Sequence, residues 1–154
     1  MTDLVQFLRA RLDEDASVAR TAGAELGEDW RYDADHGWVL VAREGYSIAT
    51  GSQDFLDAEH GHHIARHDPA RVLAEVDAKR RRLARHTSER RRLALEDADG
   101  TTSMAFLICA SCTPNRVIRR EEQDIVEWPC PDLLDDAAVY ADHPDYREEW
   151  WPEV

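Results

Sequence analysis

The sequence predicts an α+β fold in which an N-terminal helix and a long central helix pack on a small antiparallel sheet. Three features predict it: a helical apolar stripe near the N-terminus, a strand-rich run over residues 30–50, and a capped amphipathic stretch that begins near residue 68. A length of 154 residues fits a single domain spanning residues 1–154.

The first element is a helix that begins at Asp3. Gln6 follows three residues later, a spacing typical of a capping box. Gly23 and Gly27 end the helix. Its apolar stripe faces the core and is formed by Leu4, Leu8, Leu12 and Ala19.

The next stretch changes from helical to strand periodicity. Aromatic and β-branched residues form three short runs, at Trp30–Tyr32, Trp38–Val41 and Tyr46–Ile48. Asp35–Gly37 and Glu44–Gly45 separate the runs as turns. We therefore expect two or three short antiparallel strands.

Two helices are predicted after the strands. A short one begins at Ser52 or Gln53 and continues to His63, and a long one, capped by Asp68, runs from Pro69 to about Leu95. An Asp cap accepts hydrogen bonds from unpaired amides, and Pro at the first helical position gives up no bond. The long helix carries its apolar residues and one histidine on one side, namely Val72, Val76, Leu83 and His86.

The C-terminal third combines short strands and short helices. Asp99-Gly100 predicts a turn, and Met104–Cys109 reads as a strand. Weaker strand character follows at Val117–Ile118 and Ile125–Val126. Two short helices are predicted after that, over Asp132–Tyr140 and Pro144–Trp151.

Three cysteines form the most informative motif. Cys109 and Cys112 have the C-x-x-C spacing with which two thiolates on a tight turn reach one tetrahedral ion, and Cys130 follows in a proline-braced bend as a third ligand. His86 is the preferred fourth ligand, because its helical position faces the core. The alternatives for this fourth position are His143, His63 and His67.

We interpret this set as a structural zinc site that staples the C-terminal part of the fold. Four protein ligands leave no open position for substrate, so no catalytic residue is assigned. Two other interpretations are three reduced, buried cysteines that act as small hydrophobes, and a redox pair. A thioredoxin-like pair lacks the surrounding βαβ pattern, and an iron–sulfur cluster would usually need a fourth cysteine.

A histidine-rich segment permits an alternative in which the protein is a small metal-dependent hydrolase. His63 and His67 are four residues apart, which places two imidazoles on one helix face, with His60 and Asp68 nearby. However, the glutamate that would act as general base between paired histidines is missing. Asp68 is also better used as a helix cap.

Charge is unevenly distributed along a chain whose formal net charge is −13. Residues 64–96 hold ten basic against five acidic residues, whereas residues 121–154 hold twelve acidic residues and one arginine. We expect the basic segment to pair with the acidic C-terminal one, within the chain or across a homo-oligomer, and nucleic-acid binding is not expected. The acidic ends also allow an alternative role as a regulator that mimics DNA.

No membrane association is expected, because no run of 18 apolar residues occurs. The N-terminus lacks the basic and apolar regions of a secretory signal, so we expect a cytoplasmic protein.

Three segments, Asp3–Leu12, His63–Arg80 and Tyr140–Trp150, resemble a family of small actinobacterial and actinophage proteins known as the domain of unknown function 6221 family. The resemblance extends from about residue 2 to residue 152. It implies a single domain of actinobacteria or their phages and brings no established activity. It is compatible with metal ligation by His86 and the three cysteines.

The function that fits best is that of a non-enzymatic, zinc-stabilised accessory or protein-interaction protein. The motivating features are the cysteine set, the lack of a catalytic motif and the acidic C-terminal segment. That segment also carries Tyr146, Trp150 and Trp151, which would contact a basic protein partner if exposed, although C-terminal aromatics more often dock on their own core.

Overall fold

A computed structural model describes residues 3–41, 46–97, 100–113, 118–119 and 125–152. These residues form the predicted α+β architecture, with four α-helices and two three-stranded sheets in the described ranges. Residue contacts divide the chain into two compact units. One contains Met1–Arg9 and Lys79–Val154, and the other contains Ala10–Ala78.

The N-terminal helix α1 spans Leu4–Gly23, as predicted. Asp3 Oδ1 accepts a hydrogen bond from the Val5 amide at 3.2 Å, which satisfies one of the free amides at the helix start. Phe7 and Leu12 are each 1% exposed and occupy the cores of the first and second unit, respectively.

The predicted β-meander is confirmed. Strands β1 (Trp30–Asp33), β2 (Trp38–Val41) and β3 (Ser47–Thr50) form an antiparallel sheet in the order β1-β2-β3. Gly37 has a φ of +66° in the first turn, a conformation that favours glycine. The predicted turn at Glu44-Gly45 lies outside the described residues.

The short helix differs from its prediction. Ser52–Asp54 is a single 3-10 turn, and helix α2 begins only at Ala58 and ends at Arg66. Between them Phe55 is extended, and the Leu56 amide donates a hydrogen bond to the Gly37 carbonyl at 2.8 Å. The chain is therefore held against the turn between β1 and β2 and does not form a helix there. Gly61 of α2 packs against the ring of Tyr32, where a side-chain methyl group would overlap the ring.

The predicted extension of the central helix to about Leu95 is wrong. Helix α3 spans Pro69–Arg85, and the chain then forms strand β4 at Ser88–Asp97. β4 pairs along its whole length with the antiparallel strand β5, Gly100–Cys109. The arginine-rich sequence suits a helix, but this ten-residue ladder overrides the local propensity.

β5 begins at Gly100, four residues before the predicted strand, and Gly100 has a φ of +129°. The two-residue strand β6, Ile118–Arg119, pairs in parallel with β4. Asp99 and Val117, which belong to the predicted turn and weak strand, lie outside the described residues.

The C-terminal helix α4 spans Pro131–Ala138, close to the predicted bounds. The predicted second helix over Pro144–Trp151 is wrong, since only a 3-10 turn forms, at Glu148–Trp150. Trp150 is 4% exposed and packs on Phe7 with ring centroids 5.0 Å apart. The prediction that the C-terminal aromatics dock on the core is therefore confirmed for Trp150.

Candidate metal centre

Three separate elements converge on one point of the first unit. Cys109 ends β5, and the chain turns so that the Thr113 amide donates to the Cys109 carbonyl at 3.0 Å, which brings Cys112 to the same side. Cys130 immediately precedes α4, and its carbonyl accepts the amides of that helix's first turn. His86 directly follows α3.

The four side chains place their donor atoms within 4.8 Å of one another. His86 Nδ1 lies 3.6 Å from the Sγ of Cys109 and 3.4 Å from the Sγ atoms of Cys112 and Cys130. In a tetrahedral zinc site with Zn–S near 2.3 Å and Zn–N near 2.0–2.1 Å, the nitrogen-to-sulfur separation is about 3.6 Å. The donor spacing therefore fits a metal ion bound by one imidazole and three thiolates.

The second nitrogen of His86 points toward a carboxylate. Nε2 lies 3.6 Å from Asp132 Oδ2, a separation at which the carboxylate favours the Nε2–H tautomer electrostatically. That tautomer leaves the lone pair of Nδ1 directed toward the sulfurs. Asp132 thus lies where its charge can stabilise the ring orientation that ligation needs.

Two of the thiols, those of Cys112 and Cys130, are in an environment that opposes their ionisation. Burial raises the pKa of Cys112 to about 12, and the neighbouring Cys109 and Cys130 contribute to the rise. Burial also raises the pKa of Cys130. Three thiolates at this separation need a cation to offset their desolvation and mutual repulsion, which a bound metal ion would supply.

The site is closed to solvent on most sides. Cys109 and Cys130 are fully buried, Cys112 is half-buried, and the His86 side chain is 12% exposed. Four protein donors complete a tetrahedral shell, so a metal held here has no open position for a substrate. The arrangement can hold a metal ion and can tie three elements of the unit together.

A model of the family of unknown function DUF6221 matches residues 1–152. The chain belongs to the DUF6221 family. Neither a curated protein nor a solved structure matches the chain. No helix in the described part of this DUF6221 protein has both the length and the apolar content needed to cross a membrane.

The other histidines proposed for the fourth position lie elsewhere in this DUF6221 chain. His143 Nδ1 is 3.9 Å from Asp145 Oδ2, and its ring packs against Phe7. His63 and His67 lie beside each other at the end of α2, in the second unit, with ring centroids 4.6 Å apart. Of these candidates, the structure brings only His86 to the cysteines.

The residues proposed for a hydrolase do not assemble into a metal site. His60, His63 and His67 are exposed. Asp68 caps α3, since Oδ1 accepts the Arg71 amide at 2.8 Å and Oδ2 accepts the Trp30 amide at 3.2 Å. Within the described ranges, the only group of three or more potential metal ligands is His86 with the three cysteines.

Sequence reasoning missed several residues that support the site. The Ser111 hydroxyl donates to the Arg85 carbonyl at the end of α3, which holds the C-x-x-C turn beside His86. The buried Thr113 hydroxyl accepts the Val126 amide at 3.0 Å. Asp132 was identifiable only as an acidic residue two positions after Cys130, because nothing in the sequence links it to His86.

The expected pairing of the basic segment with the acidic C-terminal one occurs at Arg82. Its Nη1 donates to Asp136 Oδ1 at 2.8 Å. Asp136 is 7% exposed, and burial raises its pKa even though Arg82 and Lys79 lower it. Lys79 Nζ also lies 5.3 Å from the ring centroid of Tyr140.

Proposed function

We propose that this DUF6221 chain is a non-enzymatic protein-interaction protein whose first unit, which contains Lys79–Val154, is stabilised by a structural zinc ion. The observation that carries the proposal is the spacing of 3.4–3.6 Å between His86 Nδ1 and the three sulfurs. Zinc is favoured among metals because a Cys3His tetrahedron is one of its usual structural sites. The ligands would be His86, Cys109, Cys112 and Cys130.

The closed shell supports a structural role. A structural zinc ion contributes directly to folding free energy, because its site is not preformed in the unfolded chain. Here it would link the end of α3, the end of β5 and the start of α4. The unpaired state of all three cysteines is in keeping with a cytoplasmic location, where thiols stay reduced. The sequence resemblance supports an origin in actinobacteria or their phages.

The C-terminal segment is the proposed binding surface, and its partner is a basic protein. The side chains of Asp145 and Glu149 are 71% and 67% exposed. Trp151 is 55% exposed and packs edge-on against Tyr146, with ring centroids 5.6 Å apart. Exposed aromatics beside carboxylates form a surface that suits arginine and lysine side chains.

The zinc site is tested by elemental analysis of the untagged protein with a thiol count before and after chelation. We expect one zinc per chain, with all three thiols becoming reactive and the fold lost when the metal is removed. A protein that contains no metal and keeps its fold in chelator would overturn the zinc site.

The binding surface is tested with a fluorescent oligo-arginine peptide as the probe. Trp151→Ala should weaken binding, whereas Phe55→Ala, which removes another exposed aromatic ring, should not. Equal binding by both variants would contradict the assignment of the C-terminal segment.

A further inference from the structure

The β4–β5 hairpin carries a surface that the proposed function does not use. Arg90 and Arg92 of β4 lie opposite Leu107 and Ala105 of β5, and directly opposed residues share one face of a sheet. All four side chains are exposed, with Leu107 at 47%. We call these four residues the hairpin surface. It is basic and apolar, in a chain whose net charge is −13.

Among the described residues, the two arginines of the hairpin surface have no partner, unlike the neighbouring Arg91 and Arg82. Arg91, on the opposite face, binds both carboxylate oxygens of Glu89 at 3.0 and 2.7 Å. Arg82 binds Asp136. Arg90 and Arg92 form no hydrogen bond or ion pair with any residue in the described part of the chain. No described residue of the chain therefore offsets their charges.

A complementary surface lies in the C-terminal segment. Asp142, Glu148 and Trp151 are exposed, and neither carboxylate has an ion-pair partner among the described residues. Glu149 contacts Arg147 at 3.2 Å but is itself 67% exposed. The chain thus carries a basic, apolar surface and an acidic, aromatic one, and the described structure does not join them within one molecule.

We propose that the basic partner of the C-terminal segment is a second copy of this chain, which presents its hairpin surface. This inference rests on the proposed function and names its partner. Arg90 and Arg92 are two residues apart on one strand face, a separation of about 7 Å, so each can reach a different carboxylate. Glu148 and Glu149 supply two adjacent carboxylates, and Trp151 supplies a ring for Leu107 or a guanidinium group.

A two-fold arrangement would form this contact twice, once with each copy as donor of the hairpin surface. A polyanion such as nucleic acid is the less favoured occupant, because it is negative throughout, whereas a second copy with the same net charge of −13 also offers its own hairpin surface to the acidic segment of the first. In the proposed dimer, the hairpin surface of one copy contacts the C-terminal segment of the other, which is the most acidic part of the chain. The association should weaken with added salt, since both charged surfaces are exposed.

Sedimentation equilibrium of the zinc-loaded full chain over a concentration series, at low and high salt, tests the proposal. We expect a dimer at low salt. Arg90→Glu with Arg92→Glu should raise its dissociation constant at least about tenfold, because ion pairs are lost and like charges oppose. The matched control is Arg20→Glu with Arg31→Glu, which makes the same charge change at two other exposed positions and should leave the dimer intact.

A mixing experiment separates a specific contact from a general charge effect. Glu148→Arg with Glu149→Arg should also dissociate the dimer. A mixture of this variant with the Arg90/Arg92 variant should associate again. The acidic hairpin surface of one variant then meets the basic C-terminal segment of the other. Zinc content and circular dichroism of each variant verify that the fold is kept.

A wild-type chain that stays monomeric at low salt overturns the second-copy proposal. If that monomer still binds the oligo-arginine peptide through Trp151, the proposed function stands and another basic protein is its partner. If it binds neither, both proposals fail. Binding of a single-stranded oligonucleotide that depends on Arg90 and Arg92 would overturn the proposal in favour of nucleic acid.

Discussion

Replacement of His86 by alanine tests whether the cluster binds metal or only contains buried thiols. The imidazole supplies the one nitrogen donor, at 3.4–3.6 Å from three sulfurs. If zinc is bound, His86→Ala removes a ligand and exchanges a closed tetrahedron for three thiolates. If the cysteines are simply buried thiols, the same change removes one mostly buried side chain, 12% exposed, and no metal ion is lost with it.

The two cases predict very different losses of stability on His86→Ala. Ligand binding at a thousandfold excess over Kd contributes about 4 kcal/mol to stability. For a chain of this size, 1 kcal/mol corresponds to roughly 2–4 °C in Tm, so loss of zinc should lower Tm by roughly 8–16 °C. Without a metal, the truncation should cost about 1 kcal/mol, the usual size of a single-residue effect, and a few degrees.

Thermal unfolding with and without chelator, followed by circular dichroism, provides the assay. We expect chelator to lower the Tm of the wild type. The Tm of His86→Ala should lie near that lowered value without chelator and should change little when chelator is added. His143→Ala is the matched control, because it removes another partly buried imidazole of the same unit that lies near a carboxylate. It should keep both its zinc and its response to chelator.

Two outcomes would refute this reasoning. One is a His86→Ala protein that retains one zinc per chain with an unchanged Tm. The other is a wild-type protein whose Tm does not respond to chelator.

Three further predictions concern carboxylates. Asp132→Asn should weaken zinc affinity about 10- to 100-fold, measured by competition with a chelating dye, because His86 loses the group that orients its ring. Asp68→Ala should lower the free energy of unfolding in urea by about 1–2 kcal/mol, since α3 loses its cap. Burial raises the pKa of Asp136, so its protonated form is favoured by folding. The stability that Asp136 contributes is therefore fully present below its unfolded-state pKa and is lost as pH rises through its folded-state pKa. An NMR titration should show Asp136 ionising at a higher pH in the folded protein than in an unstructured peptide of the same sequence.

Each of these predictions has its own control. Asp135→Asn, on the exposed side of α4, should leave zinc affinity unchanged, and an equal loss in both variants would argue against a specific role for Asp132. Asp68→Asn should retain most of the stability lost in Asp68→Ala, because an amide oxygen also caps helices. A titration midpoint of Asp136 at or below its value in the unstructured peptide would contradict the burial argument.

Much of the fold followed from local signals. The cap at Asp3, the β-meander and the Asp68-Pro69 helix start are patterns that a few neighbouring residues specify. Gly61 had no such local explanation, because its close contact is with Tyr32 in another element. The helix expected after Pro69 ended ten residues early, since the pairing of β4 with β5 depends on residues far along the chain.

The sequence by itself determined the chemistry of the candidate site. Its C-x-x-C turn and the third cysteine beside prolines are local properties. Tertiary structure alone decided which histidine lies beside the cysteines and which carboxylate lies beside that histidine. His86 reaches the sulfurs because α3 ends at Arg85 and the Ser111 hydroxyl holds that end beside the cysteine turn. Asp132 reaches His86 because α4 begins directly after Cys130. The physical reason is that these contacts join residues 23–46 positions apart, and their geometry is fixed by strand pairing and core packing rather than by any local pattern.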